Sequence, residues 1–300
     1  MSNQDLIEEY IDFYSHSKQS QAMRKSSLNY FFKKYGYSGE IFDINTRELL
    51  KYFSWLKNLP EINLTTKKSK WSILTSFLNF IMEDPENDFM VKIPSKRVNW
   101  NGTSLKTDKS NREVYATKEE LRQILDYFKV RNLKFYIIFK LFTFTGIRKG
   151  ELINLRIDEI DIEERVIHLY IGKTMEKYYI SPNDDFQLYF KMYLNWRNQK
   201  YTGDNYLFIT NRNHPYSVRL FNKKLKDARD NLGITNRITC HTFRRTLNDF
   251  RKEMGCPLED REQLLGHKTR NVNISGYTKQ DIIRHRKLYD KWNPYKDLNF

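Results

Sequence analysis

At residues 145–152 the chain reads TGIRKGEL. Gly146 lets the backbone turn, Arg148 falls in the first turn of the helix beyond, and Glu151 lies three residues on, along the same face. A guanidinium held by a carboxylate suits a phosphate, because its planar donors match two phosphate oxygens. An isolated pair of this kind is more often a plain surface contact. At 241–246 stands HTFRRT, with His241 and Arg244 at i and i+3. One helix face then presents an imidazole and a guanidinium to a single anion, while Arg245 points elsewhere. LLGH at 264–267 reads as a helix end, Gly266 and then His267, and GYTK at 276–279 puts Tyr277 ten residues past that histidine. Lys173 lies in IGKTMEKYYISP, between two β-rich runs, where a lysine is ordinarily a solvated turn residue; Lys177 is a second lysine of the same stretch.

Other chemistries lack their residues. There is no phosphate-cradling Gly-x-x-x-x-Gly-Lys-Ser/Thr and no Gly-x-Gly-x-x-Gly after a strand. The six histidines are scattered, and Cys240 beside His241 would diverge by about 100° on a helix, so no metal site is expected.

These side chains need elements to hold them. Apolar residues at helical spacing predict helices over 5–14, 21–35, 46–57 (with Thr46 as N-cap) and 65–82, a small all-α domain. Residues 94–111 lose that period and read as a basic linker. Thr117-Lys118-Glu119-Glu120 is a capping box opening the next helix, and 133–144 (LKFYIIFKLFTF) is too long an apolar run for a strand, hence a buried helix ended by Thr145-Gly146. A short helix is expected over 148–155. Residues 159–181 shift to short β-rich runs, a small antiparallel sheet of about three strands. Helices follow over 184–199, 217–231, 240–254, 258–266 and 280–292.

The formal charge of +15 is spread over both parts of the chain, which favours polyanion-binding surfaces on folded domains over a basic arm. Two cysteines argue against a disulfide-stapled secreted domain. The first residues lack a secretory signal pattern, and no apolar run approaches the ~20 residues of a membrane span. The expected setting is the cytoplasm, on a nucleoid or within a host cell, with no membrane partner.

The order of the motifs is more specific than any one of them. Arg in TG-x-R-x-x-E-L, Lys in a following hairpin, His-x-x-Arg, LGH and then Tyr, over 145–279, resembles the tyrosine recombinases, which include Xer-type recombinases and phage-type integrases. The upstream part is similar in architecture only. The resemblance implies a mainly α fold with a small antiparallel β-sheet. An all-helical core-binding (SAM-like) domain is expected over 1–93, a linker over 94–113, and an α+β catalytic domain with a tail helix over 114–300.

It implies that Tyr277 attacks a DNA phosphodiester to give a 3′-phosphotyrosyl link and a 5′-hydroxyl. Arg148 and Arg244 would hold the nonbridging oxygens, His241 assist proton transfer, His267 donate a hydrogen bond, Lys173 protonate the leaving oxygen, and Glu151 orient Arg148. In the family the tyrosine usually follows the LGH histidine one residue sooner, and a larger residue often stands at the position of Gly276. Tyr289 follows His267 too, but its helix carries Ile282 and Trp292, which suits a core-packed phenol.

No metal, ATP or other cofactor is implied. The implied partners are a double-stranded DNA recombination site and, in the synaptic complex, three further copies of the chain. The two domains would clamp the duplex, with Arg24, Lys25, Lys67, Lys68 and Lys70 meeting phosphates, or else forming a solvated basic face. The tail helix could dock on a neighbouring protomer or on its own. The alternatives are type IB topoisomerase-like DNA relaxation and a catalytically silent DNA-binding protein.

Overall fold

The computed structural model describes residues 2–15, 17–95, 98–101, 114–171, 176–182, 184–200, 205–210, 214–266 and 279–296. The chain divides into two compact units, Met1–Arg112 and Glu113–Phe300.

The first unit is helical. Helix α1 (Asn3–Tyr14) opens on a capping box between Ser2 and Asp5 and buries Leu6, Ile7, Tyr10 and Ile11. Helix α2 (Lys18–Asn29) runs on into a π-helical segment, Tyr30–Tyr35, that ends at Gly36 with φ +86°, where glycine costs least. Helix α3 (Thr46–Asn58) is capped by Asn45, whose side chain accepts from the Glu48 amide at 3.1 Å. The expected cap, Thr46, instead donates to the Lys92 carbonyl. Helix α4 (Leu64–Met82) is capped by Asn63 and crosses the core of Tyr10, Phe31, Tyr52, Trp71 and Phe77. The segment expected as linker from Pro94 contributes to this core: Trp100 meets Phe53 edge-on, with ring centroids 4.8 Å apart, and Val98 packs nearby.

The second unit is built on α6. Helix α5 (Lys118–Arg131) starts at the Thr117/Glu120 capping box. Helix α6 (Leu133–Thr145) is buried over almost its whole length, as its apolar run requires, and ends at Gly146 with φ +65°. Helix α7 (Lys149–Asn154) leads into a three-stranded antiparallel sheet, β1 (Ile160–Asp161), β2 (Val166–Ile171) and β3 (Glu176–Ile180), in the order β1-β2-β3. The register sets Leu169 opposite Tyr178 and Ile167 opposite Ile180. Helices α8 (Asp184–Lys200), α9 (Val218–Leu232), α10 (Cys240–Glu253) and α11 (Leu258–Leu264) follow.

The tail helix α12 (Lys279–Lys291) packs on its own chain. His285 bonds the Tyr179 carbonyl at 2.7 Å, Tyr289 donates to the Leu264 carbonyl at 2.6 Å, and Arg286 reaches Glu164. No helix of the described residues is long and apolar enough to cross a membrane.

Candidate active site

The end of α6 sets up the site. Gly146 turns the chain so that Arg148 caps α7, and Glu151 comes back to it one turn on. One Glu151 oxygen accepts from the Arg148 guanidinium at 2.8 Å; the other accepts from the Arg148 amide at 2.8 Å. Burial pulls the Arg148 pKa down, but the bond and charge of Glu151 outweigh it and raise the pKa above its ordinary value. A guanidinium that is always charged is thus held to one orientation.

Arg244 comes from α10 and is buried. It donates to the Gly146 carbonyl at 2.7 Å and to the Leu265 carbonyl, tying the turn after α6 to the end of α11. Gly146 leaves room for this: a Cβ there would sit 3.2 Å from Leu265 and 3.5 Å from the Arg244 stem. Burial, then the Arg148 charge, lowers the Arg244 pKa, yet it starts from a value far above neutrality and the group stays charged.

Arg148, Glu151, His241 and Arg244 line one cavity of about 770 Å³, together with Lys149 and Tyr170. His241 sits on α10 one turn before Arg244, with its residue exposed at the cavity mouth. The protein packed beside its ring, then the charges of Arg245, Arg244, Lys149 and Arg148, hold its pKa below the ordinary histidine value, so the imidazole is neutral at pH 7. Three cations, Arg148, Lys149 and Arg244, outnumber the two carboxylates, Glu151 and Glu159, around this open space, which makes it attractive to an anion.

The structure therefore brings together Arg148, Glu151, His241 and Arg244. Lys173, His267 and Tyr277 lie outside the described residues, as do Gly276 and the side chain of Lys177. Tyr289 is a core phenol, buried under α11 with its pKa pushed up to about 12 by burial. Tyr178 was missed by sequence reading: its buried phenol donates to Glu151 Oε2 at 2.6 Å.

The basic residues of the first unit divide. Lys67 and Lys70 are buried, which corrects their reading as phosphate contacts. On α4 they share the inward face with Trp71, Leu74 and Leu78. The Lys67 ammonium donates to the Lys57 carbonyl at 2.7 Å, and that of Lys70 lies 3.8 Å from the centre of the Tyr30 ring. Burial lowers the pKa of both. Arg24 lies over the Tyr10 and Tyr14 rings and donates to the Tyr10 hydroxyl. Lys25 and Lys68 are exposed, and Lys25 joins Lys33 and Lys34 along a shallow groove beside Tyr30.

Residues 115–282 match the phage integrase family. The chain is 22% identical over 260 residues to the tyrosine recombinase XerC of Leptospira interrogans, which spans 85% of this chain and 81% of that one. In fold it is similar to the Tn1549 transposon integrase, solved in complex with a circular intermediate DNA, with a TM-score of 0.70 at 16% identity over 96% of this chain and 99% of that one. It is also similar to lambda integrase, solved as a tetramer bound to a Holliday junction, with a TM-score of 0.65 at 15% identity over 93% of this chain and 80% of that one. The matched stretch covers more than half of the chain and runs from the start of α5 into α12, through every element that lines the cavity. The chain belongs to the phage integrase family, the tyrosine recombinases that cut and rejoin DNA.

Proposed function

We propose that the cavity between α7 and α10 receives the scissile phosphate of a DNA recombination site and that Tyr277 is the nucleophile. The observation that carries this reading is the pair of oriented guanidiniums, Arg148 on Glu151 and Arg244 on two backbone carbonyls, lining one cavity with a neutral imidazole. Arg148 and Arg244 hold the nonbridging oxygens and offset the charge that builds on them as phosphorus becomes five-coordinate. The Tyr277 oxygen forms the new bond to phosphorus, and its proton passes to His241, which is unprotonated and able to take it. The bond to the 5′-oxygen breaks, and that oxygen takes a proton from Lys173. His267 donates a further hydrogen bond to the phosphate. Attack by the 5′-hydroxyl of a second strand reverses the steps, and because the phosphotyrosyl link conserves the bond energy, rejoining needs no nucleotide.

Lambda integrase is a tetramer on its junction; by family likeness this chain pairs two sites as four copies, with Lys25 and Lys68 among the residues that meet phosphates. Adduct trapping tests the reading. A library of nicked duplexes is incubated with the chain, the covalent complexes are isolated under denaturing conditions, and the DNA-linked peptide is mapped. The label is expected on Tyr277, and Tyr277→Phe is expected to abolish it while retaining binding. A label on any other tyrosine would falsify the assignment.

A further inference from the structure

Tyr178 of strand β3 reaches Glu151, which lines the cavity. Tyr178 is 4% exposed and stands opposite Leu169 of β2. Its hydroxyl donates to Glu151 Oε2 at 2.6 Å, the oxygen that also accepts from the Arg148 amide, while Oε1 holds the Arg148 guanidinium. A carboxylate turns easily about its last torsion. With both oxygens bonded from three directions it cannot, and Arg148 keeps one orientation.

The other side of the Tyr178 ring meets Gly266. A Cβ at Gly266 would fall 2.4 Å from the ring, closer than side chains approach, and Gly266 has φ +62°. Its neighbour Leu265 offers its carbonyl to Arg244. The turn that leads to His267 is thus seated between the Tyr178 ring and the Arg244 guanidinium.

We propose that Tyr178 is a positioning residue for strand cleavage: its hydroxyl locks Glu151 against Arg148, and its ring seats the turn before His267. The inference rests on the reading of the cavity as the scissile-phosphate site. Tyr178 does not itself touch the phosphate. Burial and the Glu151 charge hold its pKa far above the ordinary phenol value, so it remains a proton donor to Glu151 throughout the working pH range. Misplacement of a reacting group by ~1 Å is enough to cost about 10²-fold in rate, so a lost lock on a charge-stabilising group shows in the chemistry step.

The test is a double-mutant cycle on a nicked duplex that the wild-type chain cleaves, with adduct formation followed in single turnover. Tyr178→Phe keeps the ring on Gly266 and removes only the donor. It is expected to slow adduct formation about tenfold, with DNA affinity unchanged and the melting temperature lowered by only a few degrees, roughly what loss of one hydrogen bond to a charged group costs. In a Glu151→Ala background, which removes the acceptor, the same substitution is expected to cost nothing more, because the lock it serves is already gone. The amplitude of adduct formation reports the folded fraction, and the rate constant reports the chemistry, so a partly unfolded variant still gives a reading. A wild-type rate for Tyr178→Phe, or defects that multiply in the double variant, overturns the inference while leaving the recombinase reading intact. A wild-type chain that forms no adduct on any duplex of the library overturns both.

Discussion

Two pairs of cations are used in opposite ways in this chain, with Lys67, Lys70 and Arg244 buried and Arg148 half-buried. Lys67 and Lys70 lie inside the first unit, one on a backbone carbonyl and the other on an aromatic face. Each is satisfied by what it touches. Arg148 and Arg244 also have dedicated partners, but they line a cavity of about 770 Å³ that they share with Lys149 and His241. Their charges lower the His241 pKa, and the Arg148 charge lowers that of Arg244. Burial alone therefore does not mark a binding cation. What marks one is a fixed orientation combined with an excess of cations over carboxylates around open space, here Arg148, Lys149 and Arg244 against Glu151 and Glu159. The lysines brace a core, and the arginines await an anion.

The largest effect should come from breaking the arginine pair. Arg148→Ala and Arg244→Ala are each expected to slow cleavage by about 10²–10³, the usual loss when a donor aimed at developing charge is removed. DNA affinity should change little, because many other cations of this +15 chain remain to meet phosphates. Single-turnover cleavage beside an equilibrium binding titration checks this; a wild-type cleavage rate in either variant removes that arginine from the site.

A smaller effect concerns His241. A proton acceptor must be neutral, and burial and then the nearby cations disfavour its protonation, so cleavage should persist below pH 6.5 and then fall about tenfold per pH unit on further acidification. After burial, the Arg245 charge contributes most to that shift. Removing a positive neighbour makes protonation easier, so Arg245→Gln should move the acid limb to higher pH. A limb unmoved in a pH–rate profile would mean that the cavity charges do not act on the imidazole.

Much of this was legible in the chain. The Arg148–Glu151 spacing, the Thr117 capping box and the apolar run of α6 each have a local cause and can be read locally. The partners of Arg244 cannot, since Gly146 and Leu265 lie 98 and 21 residues away and accept through carbonyls, which have no sequence signature. Tyr178 was hidden for another reason. Strand β3 is covered on both faces, with α12 bonding the Tyr179 carbonyl, so Tyr178, Tyr179 and Ile180 are all buried and no alternation singles out one of them. Trp100 stands in a stretch without period, and a single anchoring ring leaves none. The lysines of α4 are the reverse case: positions 67, 70, 71, 74 and 78 spell one helix face, and that period rather than the lysine charge decides their burial.

The smallest effects separate the two kinds of lysine on that helix. Lys67 and Lys68 are adjacent, and about 100° of helix rotation puts one inside and one outside. The Lys67 ammonium meets the Lys57 carbonyl in the last turn of α3, where backbone acceptors lack helical partners and the dipole favours positive charge. Lys67→Met should therefore cost about 1–2 kcal/mol of stability, read in urea unfolding of the whole chain, and should leave the salt dependence of DNA binding unchanged. Lys68→Met should do the opposite. Its stability effect should fall within about 0.5 kcal/mol, while the slope of log affinity against log salt drops by about 1 as one phosphate contact is lost. Equal effects of the two substitutions on the salt slope would show that Lys67 turns outward on DNA, and the division between bracing and binding cations would fail at that residue.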